Sequence, residues 1–73
     1  MNIYELDEIV KSLELNKLKN TNIAMKQFPN SPLQLETRRK IAEDTALINF
    51  YKAKRVELLA KIQKFVNKIL NEI

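Results

Sequence analysis

The 73-residue chain has no cysteine, no histidine, no glycine and no tryptophan, and only two prolines. Each absence closes off a class of protein. Without cysteine there is no disulfide to hold a small core and no thiolate to bind zinc or attack a substrate. Without histidine the usual general base near neutral pH is missing, as is the usual nitrogen ligand for zinc or iron. Any metal would have to be a hard cation held by carboxylates. Without glycine there is no phosphate-cradling loop of the familiar kind. The longest stretch free of charge is nine residues, 27–35, and it carries both Pro29 and Pro32. A membrane span needs about 18 or more apolar residues, so none is expected. The first turns carry Glu5, Asp7 and Glu8, where a secretory signal would place positive charge followed by an apolar run. A cytoplasmic protein with no cofactor and no metal is the expectation.

Apolar residues make up 45% of the chain and charged residues 30%, a balance that suits a folded α protein rather than a disordered one. One domain, residues 1–73, is all this length allows, and a core so small is marginal without a disulfide, a metal or a second subunit. With the first two removed, another subunit becomes the natural source of stability. The net charge of +4 is unevenly spread. Residues 1–35 hold four lysines against four acids, whereas residues 36–73 hold nine bases against five acids, which places the whole excess on the C-terminal half.

That half contains neither glycine nor proline after Pro32. Ser31 is a suitable N-cap, Pro32 occupies the first helical position where its missing N–H costs nothing, and Gln34 stands where a capping-box side chain reaches back. One helix over residues 32–72 is predicted, about 60 Å long at roughly 1.5 Å per residue. Its weak point lies at 43–45, where Asp44 or Thr45 is able to cap a new helix. Ahead of it, Asn2 with Glu5 three residues on signals an earlier helix start, and Ile3, Leu6, Ile9, Val10, Leu13 and Leu18 follow three-and-four spacing. Lys17 and Lys19 suit a C-terminus, and Asn20 a stop, so the first helix is read as residues 3–19. The connector is then 20–31, with Ile23, Ala24, Met25 and Phe28 available for one helical turn plugging the end of the core.

Counting heptads from Ile41 places Ile41, Ile48, Arg55, Ile62 and Ile69 at one seam position. Asp44, Tyr51, Leu58, Phe65 and Glu72 take the other. Such a repeat over about four heptads favours a coiled coil or bundle. The expected fold is therefore an all-α helical hairpin, a short N-terminal helix against a long C-terminal one, completed as a helical bundle or coiled coil with another chain. A first helix of 17 residues covers only part of the long one. Leu58, Leu59, Ile62, Phe65, Val66, Ile69, Leu70 and Ile73 are left as a candidate protein interface, more apolar surface than a soluble monomer normally shows to water. Inside the seam, Arg55 either reaches to its edge or meets an acid from a facing helix and fixes register, with Asp44 as a candidate mate across a two-fold axis.

Lys54, Lys61, Lys64 and Lys68 share one stripe that is able to track phosphates, although Glu57 interrupts it and a solvated helix face is the simpler account. Arg38, Arg39 and Lys40 fan around the helix at about 100° per residue, so at most two of them can grip one phosphate. Phe50 and Tyr51 beside Lys52, Lys54 and Arg55 have the composition of a single-strand binding platform, yet at helical spacing Tyr51 and Phe65 belong more simply to the core. The tail also suits an anionic membrane surface, without a tryptophan to anchor it; this is the weaker alternative. No nucleophile–base pair or metal-ligand motif supports catalysis. The expected function is that of a small non-enzymatic helical subunit or regulator, acting on another protein chain in a homo-oligomer or larger complex. The alternative is an accessory factor of a replication or transcription assembly, presenting its basic face to DNA or RNA.

Overall fold

Side-chain caps set both helix starts. The Glu5 N–H donates to Asn2 Oδ1 at 2.8 Å and the Asn2 amide returns a 3.4 Å bond to Glu5 Oε1, which opens α1, Ile3–Lys26. Ser31 opens α2, Pro32–Glu72, by accepting from the Gln34 N–H at 3.2 Å. The computed structural model describes residues 1–72, and among them these two helices form an all-α hairpin. The turn between them, residues 27–31, contains Asn30 at φ 60°, a left-handed position that asparagine tolerates better than most residues. Gln34 locks this turn. Its Oε1 accepts from the Asn30 N–H at 2.7 Å, and its Nε2 donates to the Ala24 carbonyl at 3.0 Å. The return bond expected at Ser31 thus lands one residue earlier, and the same amide clamps the end of α1 to the start of α2.

Two expectations need correction here. The first helix runs seven residues beyond 19, and the connector is correspondingly 27–31 rather than 20–31. Asn20, Thr21 and Asn22 have modest helix propensity, a few tenths of a kcal/mol each, but Asn20 and Thr21 are half-buried on the side of the neighbouring helix while Asn22 is exposed. The Thr21 hydroxyl donates to the Lys17 carbonyl at 2.7 Å, inside its own helix, and Ala24 is buried on the seam. Packing therefore outweighs local preference. Nor does Phe28 plug the core: it is 82% exposed, with Met25 78% exposed, and the smaller Ala24 fills the end instead. On α2 the helix is continuous through 43–45. Thr45 spends its hydroxyl on the Ile41 carbonyl at 2.8 Å rather than on capping a new start.

The two helices pack antiparallel along a heptad-spaced seam. Ile3, Leu6, Val10, Leu13, Lys17, Asn20, Ala24 and Gln27 recur at alternating steps of three and four along α1, as do Gln34, Thr37, Ile41, Asp44, Ile48, Tyr51, Arg55 and Leu58 along α2. Every one of these residues is buried or half-buried, as a two-helix seam requires. Three cross-helix contacts set the register: Asp7 with Arg55 at 2.7 Å, Glu14 with Lys52 at 3.2 Å, and Ala24 with Gln34. That register brings Leu6 level with Arg55, Val10 with Tyr51, Leu13 with Ile48, and Lys17 with Asp44. Apolar residues dominate the seam toward the free end of α1, with Arg55 the exception, and polar or small ones dominate toward the turn.

The helices differ greatly in reach. At about 1.5 Å per residue, 24 residues give α1 about 36 Å and 41 residues give α2 about 62 Å. The molecule measures 64 × 16 × 15 Å with a radius of gyration of 18.1 Å, against about 11 Å for a compact chain of this length. Its accessible surface is 6011 Å², whereas a compact 8.6 kDa monomer exposes about 4,700 Å². The difference exceeds the roughly 800 Å² that one partner gives to an ordinary protein interface.

Candidate functional site: the tail of the long helix

The seam of α2 outlasts the helix that covers it. The first turn of α1 reaches α2 at Leu58, where Met1 and Leu6 share a groove with Lys54, Glu57, Leu58 and Lys61. Leu58, expected among the uncovered residues, is half-buried there. Every residue from 59 to 72 is exposed. Ile62, Phe65 and Ile69 continue the alternating three-and-four series that Ile48, Tyr51 and Arg55 follow under α1, so they prolong the same face. Leu59, Val66 and Leu70 widen it along one edge, while Lys61 and Lys68 border the other. Phe65 is 64% exposed and Leu70 62%. Ile73 lies outside the described residues.

Electrostatics divide the helix in the same place. Along the covered part, acids of α1 meet bases of α2: Arg55 Nε donates to Asp7 Oδ1 at 2.7 Å, and Lys52 Nζ lies 3.2 Å from Glu14 Oε1. Both pairs are about half exposed, so each contributes under about 1 kcal/mol and acts mainly on register. Arg55 thus finds its acid on the facing helix of its own chain, and that acid is Asp7 rather than Asp44. Asp44 sits in the seam with Oδ2 buried and without a hydrogen-bond partner. Asp7 and Glu14 stand one heptad apart on a helix that faces Lys52 and Arg55, and that spacing is the sequence signal for both pairs.

The basic residues do not converge. Arg38, Arg39 and Lys40 are exposed on different sides of α2, and Arg39 lies 4.0 Å from both Glu36 and Glu43. Lys54 lies 3.8 Å from Glu57 and 5.6 Å above the Phe50 ring. Phe50 also meets Tyr51 edge-on at 5.3 Å; Tyr51 is half-buried in the seam and only Phe50 is exposed. Lys61, Lys64 and Lys68 stand exposed on the tail with no acid paired to them among the described residues.

No helix is long and apolar enough to cross a membrane, and no group of three potential metal ligands lies together among the described residues. Compared with known proteins, the chain matches no family model, no curated protein and no solved structure.

Proposed function

We propose that this protein is a small non-enzymatic helical subunit or regulator of the cytoplasm that acts by protein–protein contact through the tail of α2, which a second chain completes into a coiled coil or bundle. One observation carries the reading: the face that docks α1 continues past the end of α1 with the same spacing, and among the described residues nothing lies upon it. Half-exposed Leu59, Ile62, Phe65, Val66, Ile69 and Leu70 would release on the order of 5 kcal/mol on burial. That is a modest contact once the cost of association is counted. The breadth of the stripe, widened by Leu59, Val66 and Leu70, suits a bundle as well as a two-stranded coil.

Light scattering across micromolar to millimolar concentrations tests the reading. The chain is expected to exceed 8.6 kDa, and Ile62→Ser with Phe65→Ser and Ile69→Ser is expected to restore that mass with unchanged helicity. A wild-type chain that stays monomeric throughout and binds no amphipathic helical peptide through this face would contradict it. The nucleic-acid alternative, with Lys54, Lys61, Lys64 and Lys68 on phosphates, is checked by titrating duplex and single-stranded oligonucleotides at two salt concentrations. Interaction through the apolar face alone predicts no salt-sensitive binding in that titration.

A further inference from the structure

The interface already present within the chain shows what chemistry α2 accepts. Its seam docks a helix whose flanking acids, Asp7 and Glu14, lie against Arg55 and Lys52 at 2.7 and 3.2 Å. Beyond Leu58 the seam persists through Ile62, Phe65 and Ile69, and basic residues still flank it, but on the other edge: Lys52 stands one heptad before Leu59, on the side that turns apolar in the tail. Residues 59–72 carry Lys61, Lys64 and Lys68 against the single acid Glu72. Yet the two edges of the tail differ. One is apolar, formed by Leu59 and Val66; the other is basic, formed by Lys61 and Lys68.

Building on the proposed interaction role, we propose that the tail receives an amphipathic helix of a different protein, antiparallel to α2 and in line with α1. One flank of that helix is acidic and faces Lys61 and Lys68; the other is apolar and faces Leu59 and Val66. Charge complementarity selects this occupant over a second copy. Two tails paired antiparallel would bring Lys61 of one against Lys68 of the other, and like charges across an interface act against the pairing. The orientation follows from continuity. An antiparallel helix brings its C-terminal end, with partial negative charge, up to the N-terminus of α1, where unpaired N–H groups carry partial positive charge. A parallel helix would set two positive ends against each other. Fourteen residues of tail offer such a helix about 21 Å of seam.

The probes are two synthetic helical peptides with identical leucine and isoleucine seams, one bearing glutamate and the other lysine on the flank facing Lys61 and Lys68. Fluorescence anisotropy against the full chain should show the glutamate peptide binding about tenfold tighter, with the advantage falling as salt rises. Lys61→Glu with Lys68→Glu should reverse the preference and leave the hairpin folded, because both side chains are exposed and Lys61 only borders the groove at Met1 and Leu6. The chain has no cysteine, so a spin label on Asn71→Cys reports direction and should broaden the N-terminal half of the bound peptide; broadening of the C-terminal half would overturn the orientation. Equal affinity for the two peptides would overturn the charge assignment while leaving the apolar interaction face standing. A stable dimer of the chain that the glutamate peptide fails to displace would make a second copy the occupant and overturn the proposal. If neither peptide binds and the chain is a monomer at every concentration, the underlying interaction reading falls with it.

Discussion

Ile48 and Ile62 occupy the same seam position two heptads apart on one helix, but α1 covers only the first. Ile48 is 6% exposed and Ile62 45% exposed, so truncating each to alanine separates hairpin packing from tail function. For Ile48→Ala the lost transfer energy and the cavity together cost about 2 to 3 kcal/mol, toward the low end for buried isoleucine because a two-helix seam can partly collapse. A hairpin of roughly 55 residues has about 3 to 8 kcal/mol in total at typical values per residue, so this single change removes a large share. Ile62→Ala leaves no cavity in the isolated chain and should lie within about 0.5 kcal/mol of wild type, helped by the higher helix propensity of alanine. Urea unfolding followed by circular dichroism, at a dilution where the chain is monomeric, reads both. If Ile48→Ala prevents folding altogether, Ile48→Val at about 0.5 to 1.5 kcal/mol provides the milder version. Equal costs for the two alanine variants would refute the unequal coverage of α2.

Other changes probe separate parts of the structure. Gln34→Ala removes both side-chain bonds of the turn, to the Asn30 N–H and the Ala24 carbonyl, and should cost about 1 to 2 kcal/mol by the same urea assay. Asp44→Leu replaces a carboxylate oxygen buried without a partner and should stabilise the hairpin by on the order of 1 kcal/mol, measured as a raised urea midpoint. Lys64→Pro breaks the tail helix, by about 3 kcal/mol in propensity, while leaving the unfolding midpoint of the hairpin nearly unchanged. In light scattering the same variant should lose association.

Much of this architecture is legible in local chemistry. Ser31, Pro32 and Gln34 announce the start of α2, and the heptad count from Ile41 marks the residues that face α1, because a seam repeating every three and four positions has few ways to pack. The last seven residues of α1 are not legible that way. Asn20, Thr21 and Asn22 read locally as a stop, and only the neighbouring α2, with Gln34 bonded to the Ala24 carbonyl, keeps the helix going. The mate of Arg55 was equally hidden, since any of several acids satisfies charge and only the register selects Asp7. The overhang is legible in outline, as the difference between a short helix and a long one. Its boundary at Leu58, under Met1 and Leu6, required the fold.

Amide hydrogen exchange along α2, resolved by residue in the monomeric chain, tests the central claim most directly. Protection should be high through the half that α1 covers, up to about Leu58, and should fall away over residues 59–72, where no second helix holds the seam. Tail amides should then gain protection when a glutamate-flanked helix is added. Protection at Ile62 and Phe65 equal to that at Ile48 in the monomer would contradict the account.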